Sequence, residues 1–230
     1  MNSNTKKEEI QKMCIENNWE FSLFEKYVDL IEEKNKVINL TGFSNERLWS
    51  EGIWESLLYM IEITKGKNNI KILDVGSGVG FPSIPYALTK PNNEITIYEP
   101  LLKRVNFLNE VVETLGLQDI VKVYRRRVEE VNDKNIFDIV TARAVASVKG
   151  MLMSSFHLVK LNGELNLLKG KNAHEEIENA SDIFNKIKYN LEVTDLLDTK
   201  ENRDNKIVKI TKLRSTPNTF PYPWKVIKNS

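Results

Sequence analysis

Two carboxylates and three glycines carry the clearest chemistry in the chain. The segment Ile72-Leu73-Asp74-Val75-Gly76-Ser77-Gly78-Val79-Gly80-Phe81-Pro82 runs an apolar, β-rich stretch directly into a glycine turn and then a helix. Glycines let backbone turn sharply and let a ligand approach it with no Cβ in the way. The spacing is G-x-G-x-G, not the G-x-G-x-x-G that seats a dinucleotide pyrophosphate on a helix N-terminus. An acid on the incoming strand, Asp74, would sit poorly beside a pyrophosphate and well beside an amino-acid head group, whose ammonium donates hydrogen bonds. Glu99 closes the next strand-like run, 94–99, about 20 residues on, where such sheets place the carboxylate that holds ribose hydroxyls. Together these features predict a cradle for S-adenosylmethionine, with Asp74, Gly76, Gly78, Gly80 and Glu99 in contact with it. A nicotinamide-dependent oxidoreductase is the rival from another class, and both Asp74 and the glycine spacing argue against it.

Other reactive groups are sparse. Arg143 follows a strand at the carboxyl edge of the expected sheet, where open α/β folds bind ligands; its guanidinium is suited either to the cofactor carboxylate or to a base edge. Arg125-Arg126-Arg127, with Lys122, Lys103 and Arg104, are candidates for a basic rim that contacts phosphates, though such runs are also simply solvated. His157 and His174 are read as structural or surface residues. One cysteine, Cys14, and two scattered histidines predict no metal site and no disulfide. Tyr222 and Trp224 in the tail are open to two readings: stacking on bases, or packing against the N-terminal helices.

The elements that must position these groups follow from periodicity. Apolar residues recur at helical spacing over 8–36, with a break at Asn17-Asn18, and again over 45–64, where Trp49 and Trp54 are read as core. From residue 66 onward, strand-like runs at 70–75, 94–98, 120–124, 137–141 and 164–168 alternate with helical stretches at 84–89, 103–115 and 148–158. That alternation predicts a parallel sheet covered on both faces. A long helical stretch at 173–188 is then followed by two strands, 191–197 and 206–212, joined by a charged turn at 198–205. The expected architecture is α/β, class I Rossmann-like, with a mostly parallel seven-stranded sheet. Residues 1–65 form a helical N-terminal cap, 66–214 the donor-binding domain and 215–230 a C-terminal tail.

The motifs resemble the GidB/RsmG family, bacterial methyltransferases of a guanine N7 in small-subunit ribosomal RNA. The resemblance runs from about Phe24 to Lys212. It rests on Asn39-Leu40-Thr41, Glu55-Ser56-Leu57, the proline-bearing loop from Asp74 through Ser83-Ile84-Pro85, Lys103-Arg104-Val105-Asn106-Phe107-Leu108, Arg127-Val128-Glu129-Glu130, the run from Asp138 to Ala146, and Lys169-Gly170. It implies cofactor contacts at Gly76, Phe81, Val128, Glu129 and Arg143, with Arg143 as the catalytic group. Substrate contacts are expected at Lys103, Arg104, Arg127 and Lys169, and the implied partner is ribosomal RNA or the small ribosomal subunit. The sequence departs from the pattern where a family histidine precedes the acidic-Ser-Leu element, here Glu51-Gly52-Ile53-Trp54. It departs again in the tail, where Phe220-Pro221-Tyr222-Pro223-Trp224-Lys225 lacks the family arginine. Those departures keep two alternatives in view: a relative that methylates a small metabolite, a peptide or another RNA, and a protein that binds the cofactor without catalysis.

The totals set the surroundings. Lys+Arg 33 against Asp+Glu 32 gives a net charge of +1, so any attraction to polyanions must be local. The start is polar rather than signal-like, and no window holds the roughly 18 consecutive apolar residues of a membrane span. A cytoplasmic monomer with no membrane association is the expectation.

Overall fold

The computed structural model describes residues 5–196 and 204–229. Its strands are β1 (Lys71–Val75), β2 (Glu94–Tyr98), β3 (Val121–Tyr124), β4 (Phe137–Arg143), β5 (Val159–Lys169), β6 (Tyr189–Asp195) and β7 (Lys206–Lys212). They form one seven-stranded sheet in the order β3-β2-β1-β4-β5-β7-β6. The pairs β1/β4, β2/β3 and β4/β5 are parallel, while β7 runs antiparallel to both β5 and β6. This is the mostly parallel sheet expected from the alternation of strands and helices. The charged turn expected at 198–205 lies almost wholly outside the described residues.

The chain divides into two compact units, residues 1–69 with 77–125, and residues 70–76 with 126–230. The first carries α1 (Lys6–Asn17), α2 (Phe21–Asn35), α3 (Glu55–Thr64), α4 (Ser83–Ala87) and α5 (Leu102–Thr114) with β2 and β3. Thr5 and Glu8 cap α1 reciprocally, and Asn18 ends it in the left-handed region, as the Asn17-Asn18 break predicts. The helix expected over 45–64 divides, because residues Leu48–Trp54 form a π-helical turn that passes into α3. Within the turn Trp49 is buried; Trp54 is half-buried, with the Lys6 ammonium 4.6 Å from its ring centroid.

The second unit holds β1, β4, β5, β6 and β7 with α6 (Val148–Ser155), α7 (Ala173–Glu178), α8 (Ser181–Phe184) and α9 (Trp224–Ile227). Asp138 ties its strands at their starts, accepting from the Lys71 N–H at 2.8 Å and from the Lys160 ammonium at 2.8 and 2.9 Å. The single long helix expected over 173–188 is instead two short ones. The break falls at Asn179-Ala180, where asparagine is a weak helix former and Ala180 is fully buried. Ending α8 at Phe184 lets that ring meet Tyr189 in a tilted contact, centroids 4.5 Å apart, as the chain enters β6.

His157 is fully buried, and its Nε2 lies 2.8 Å from the Val131 carbonyl. Burial pushes its pKa down to about 4, with the Val131 hydrogen bond opposing. His174 is exposed on α7, whereas His157 lies in the 3-10 turn Phe156–Leu158 that leads directly into β5, not away from the strand ends as the sequence suggested.

Candidate functional site

In the first unit, Glu99 follows β2 and is 1% exposed. Its Oε2 accepts the Gly78 N–H at 3.1 Å and its Oε1 accepts the Leu101 N–H at 3.0 Å. One Arg104 nitrogen lies 3.9 Å from the same carboxylate. The glycine loop and the acid 21 residues later therefore meet directly, with lone pairs of Glu99 left over for further donors. Gly78 has φ +64, and nothing stands within 4 Å of where a Cβ would project. The Ser77 hydroxyl beside it is buried and has no hydrogen-bond partner in the protein. An open backbone, an orphaned hydroxyl and an anchored carboxylate suit a polar ligand carrying hydroxyl groups.

Gly80 and Phe81 are fasteners of that loop. Gly80 has φ +114, and a Cβ there would collide with Ile84 and come within 2.9 Å of the Tyr27 hydroxyl. Tyr27 donates to the Val79 carbonyl at 2.8 Å, and its ring meets Phe81 edge-on at 6.0 Å. Phe81 is 7% exposed, beside Phe43 at 6.2 Å and against the Gly52 backbone, where a methyl group would come within 2.7 Å of its ring. Sequence reasoning missed Tyr27, Phe43 and Gly52. The one signal for Gly52 was a glycine amid large apolar residues at helical spacing, which marks close approach of another group. Lys103 is exposed on α5, its ammonium 3.5 Å from the Asn39 carbonyl.

In the second unit, β1 and β4 lie side by side where the strand order reverses, the place at which open α/β sheets bind ligands. Asp74, fully buried, stands in register with Thr141, and Gly76 lies against the Val145 side chain. Arg143 is the last residue of β4 and is half-buried. The turn after it, with Ala144 at φ +54, is held by Lys169, whose ammonium donates to the Ala146 carbonyl at 2.5 Å and pairs with Glu176 at 2.7 Å. Glu176 in turn accepts the Val148 N–H at 2.9 Å. Lys169, expected to touch substrate, is thus engaged in shaping the turn beyond Arg143.

Val128 and Glu129 sit in a short 3-10 turn, Val128–Glu130, and Val128 is buried. Arg127 approaches Glu129 at 3.6 Å, while Glu129 Oε1 is buried and makes no hydrogen bond. The Arg127 guanidinium also lies over the Trp224 ring, 5.3 Å from its centroid.

A groove of about 480 Å³ in the first unit, lined by Lys7, Glu25, Lys26, Asp29 and Trp49 among others, contains none of the predicted residues. Among the described residues no group of three His, Cys, Asp or Glu could hold a metal, and no helix is long and apolar enough to cross a membrane.

The family model described as rRNA small subunit methyltransferase G matches residues 20–205. The chain belongs to the GidB family. Among GidB relatives, the ribosomal RNA small subunit methyltransferase G of Mycoplasmopsis pulmonis is 35% identical over 213 residues, covering 90% of this chain and 91% of its own. That of Mesomycoplasma hyopneumoniae strain J is 41% identical over 175 residues, covering 73% and 84%. A solved structure, tRNA (m1A58) methyltransferase TrmI from Aquifex aeolicus, superposes with a TM-score of 0.54 at 17% identity over 70% of this chain and 69% of its own. At that identity the likeness concerns the fold, and it is the class I Rossmann-like methyltransferase fold that the GidB motifs imply.

Proposed function

We propose that this chain transfers a methyl group from S-adenosylmethionine to N7 of a guanine in 16S ribosomal RNA, acting as a metal-free monomer in the cytoplasm. The observation that carries the reading is the direct bond between the Gly78 N–H and Glu99, beside the orphaned Ser77 hydroxyl. Methylation of small-subunit ribosomal RNA follows from family membership, and the choice of guanine N7 goes beyond it. The donor-binding domain is placed at 66–214, with 1–65 as its helical cap and 215–230 as its tail.

When bound, S-adenosylmethionine supplies a sulfonium methyl that guanine N7 takes with its lone pair, sulfur keeping the C–S electrons and no proton being released. The protein therefore needs no general base, and its work is to hold donor and acceptor in line. Glu99 is poised to accept ribose hydroxyls, with its orientation fixed by the two backbone N–H groups. Asp74 takes the amino-acid ammonium at the end of β1, and Gly76, Gly78 and Gly80 keep the loop backbone approachable. Phe81 anchors the loop, Val128 and Glu129 flank the adenine, and Arg143 orients the donor carboxylate or the guanine edge. Lys103, Arg104 and Arg127 supply phosphate contacts, and Lys169 positions the turn that follows Arg143.

Labelled donor incubated with 16S RNA and with small subunits from cells lacking this modification tests the reading. Label in the RNA, mapped to a guanine by strand cleavage at N7-methylguanine, is expected. Donor binding with no transfer to either acceptor would contradict it.

A further inference from the structure

The near-zero charge of the whole chain conceals a strongly polarised end. Residues 206–230 hold six cations, Lys206, Lys209, Lys212, Arg214, Lys225 and Lys228, and no Asp or Glu. Those on β7 are used internally. Lys206 pairs with Asp195 and Asp204, Lys209 pairs with Glu192, and the buried Lys212 ammonium donates to the Phe156, His157 and Val159 carbonyls and to Asn135. Those of the tail are not: Lys225 in α9 and Lys228 just after it are exposed and pair with no acid among the described residues.

The tail that carries them is fastened to its own unit. Phe220 is 2% exposed and Ile227 is buried, the Tyr222 N–H donates to the Met153 carbonyl at 3.0 Å, and α9 packs on α6. One reading of the tail put it against the N-terminal helices; the packing seen is on α6, with Tyr222 edge-on to Phe220 and under the Lys186 ammonium. Yet Trp224 remains 50% exposed and Val226 46%. The open indole on this anchored segment, with a guanidinium over its ring, Lys225 in its own short helix and Lys228 just after it, presents an aromatic face beside three cations.

We propose that Trp224, with Arg127, Lys225 and Lys228, is a platform for single-stranded RNA: a base stacks on the indole while the three cations contact the flanking phosphates. The inference rests on the RNA reading given above and extends the phosphate contact assigned there to Arg127 with Trp224, Lys225 and Lys228. The chemistry favours nucleic acid over a protein partner. The tail offers cations without a single acid, and a π-face beside cations is the combination that binds unpaired strands irrespective of sequence. Of the acids in this unit, Glu129 lies 3.6 Å from Arg127 and Asp182 lies 3.0 Å from Lys149. Arg127 adjoins Val128 and Glu129 in the chain, so a strand held here would lie close to the residues proposed to flank the adenine.

The test uses the full chain and a fluorescein-labelled single-stranded oligouridylate, with binding read by anisotropy and by quenching of tryptophan emission. Loss of one base–aromatic stack weakens binding by at least about fivefold, so Trp224→Ala is expected to do so while Trp224→Phe stays within about threefold of the native chain. Trp224→Phe should also remove the RNA-dependent quenching. The double variant Lys225→Gln/Lys228→Gln should reduce the salt dependence of log K by about 1.4. Affinity for S-adenosylhomocysteine is expected to be unchanged in all three. Oligouridylate binding by Trp224→Ala within twofold of native overturns the platform, and so does unchanged binding with impaired methylation of assembled subunits, which would indicate a protein contact. Native chain that methylates RNA while Trp224→Ala does so equally well sinks the platform alone; native chain that neither binds nor methylates RNA sinks the underlying reading.

Discussion

Gly78→Ala separates the ligand from the fold. The backbone there has φ +64, which costs an L side chain about 1–2 kcal/mol, partly offset by the lower freedom of alanine in the unfolded chain. The net loss is about 1 kcal/mol. For a chain of this size that lowers Tm by about 2–4 °C. No protein atom lies within 4 Å of the new methyl, so the loop is not pushed aside, and the N–H to Glu99 is retained. The methyl projects into the space assigned to the donor. Loss of close approach there should weaken S-adenosylhomocysteine by about tenfold or more, on the order of 1.4 kcal/mol. Titration calorimetry alongside thermal unfolding reads both quantities. Gly80→Ala is the contrast, since its methyl would strike Ile84 and crowd Tyr27, and its Tm should fall much further. A Gly78→Ala protein whose Tm falls by the expected few degrees while its affinity stays within twofold of native would refute the cradle.

Three further outcomes are expected. Burial holds His157 at about 4, below its usual 6.5, so the unfolded chain takes up a proton first as pH falls. Its contribution is complete above pH 6.5 and is lost towards pH 4, by up to about 3 kcal/mol. Urea unfolding should accordingly show a shallower decline between those pH values for His157→Gln, and equal slopes would count against the buried neutral ring. Lys169→Met strands the Ala146 carbonyl and leaves Glu176 without its cation, a loss of about 1–3 kcal/mol in urea unfolding. A change under 0.5 kcal/mol, roughly the surface average, would show that the turn needs no such clamp. Cys14 is fully buried, and burial pushes its thiol up to about 11, so a disulfide reagent at pH 8 should label it only at the rate of unfolding. Complete labelling of native protein within minutes would contradict its placement.

What was legible in the sequence is what short-range pattern controls. β2 at Glu94–Tyr98 and β7 at Lys206–Lys212 fall where alternation placed them, and the Asn17-Asn18 break ends α1. The bond between Gly78 and Glu99 follows the spacing of two strand ends, which a parallel sheet imposes. What escaped depends on groups distant in the chain. Nothing near Gly52 indicates that the Phe81 ring will lie on it, or that Tyr27 will hold the Val79 carbonyl 52 residues away. The amphipathic pattern over 173–188 conceals a break that accompanies the burial of Ala180 and the Phe184–Tyr189 ring contact. Lys169 reads as a cation at a strand end, and its engagement with Ala146 and Glu176 becomes visible only when the turn and α7 are in place. The tail shows the opposite limit: composition revealed cations and aromatics, and packing decided which aromatic stays exposed.

The most direct test of the central claim is a crystal structure of the chain with S-adenosylhomocysteine. The ribose hydroxyls should lie on the Glu99 carboxylate, the Ser77 hydroxyl should gain its missing partner, and the amino-acid end should lie at Asp74. A nucleoside bound away from the 74–81 loop, with Glu99 touching only Gly78, Leu101 and Arg104, would contradict the account.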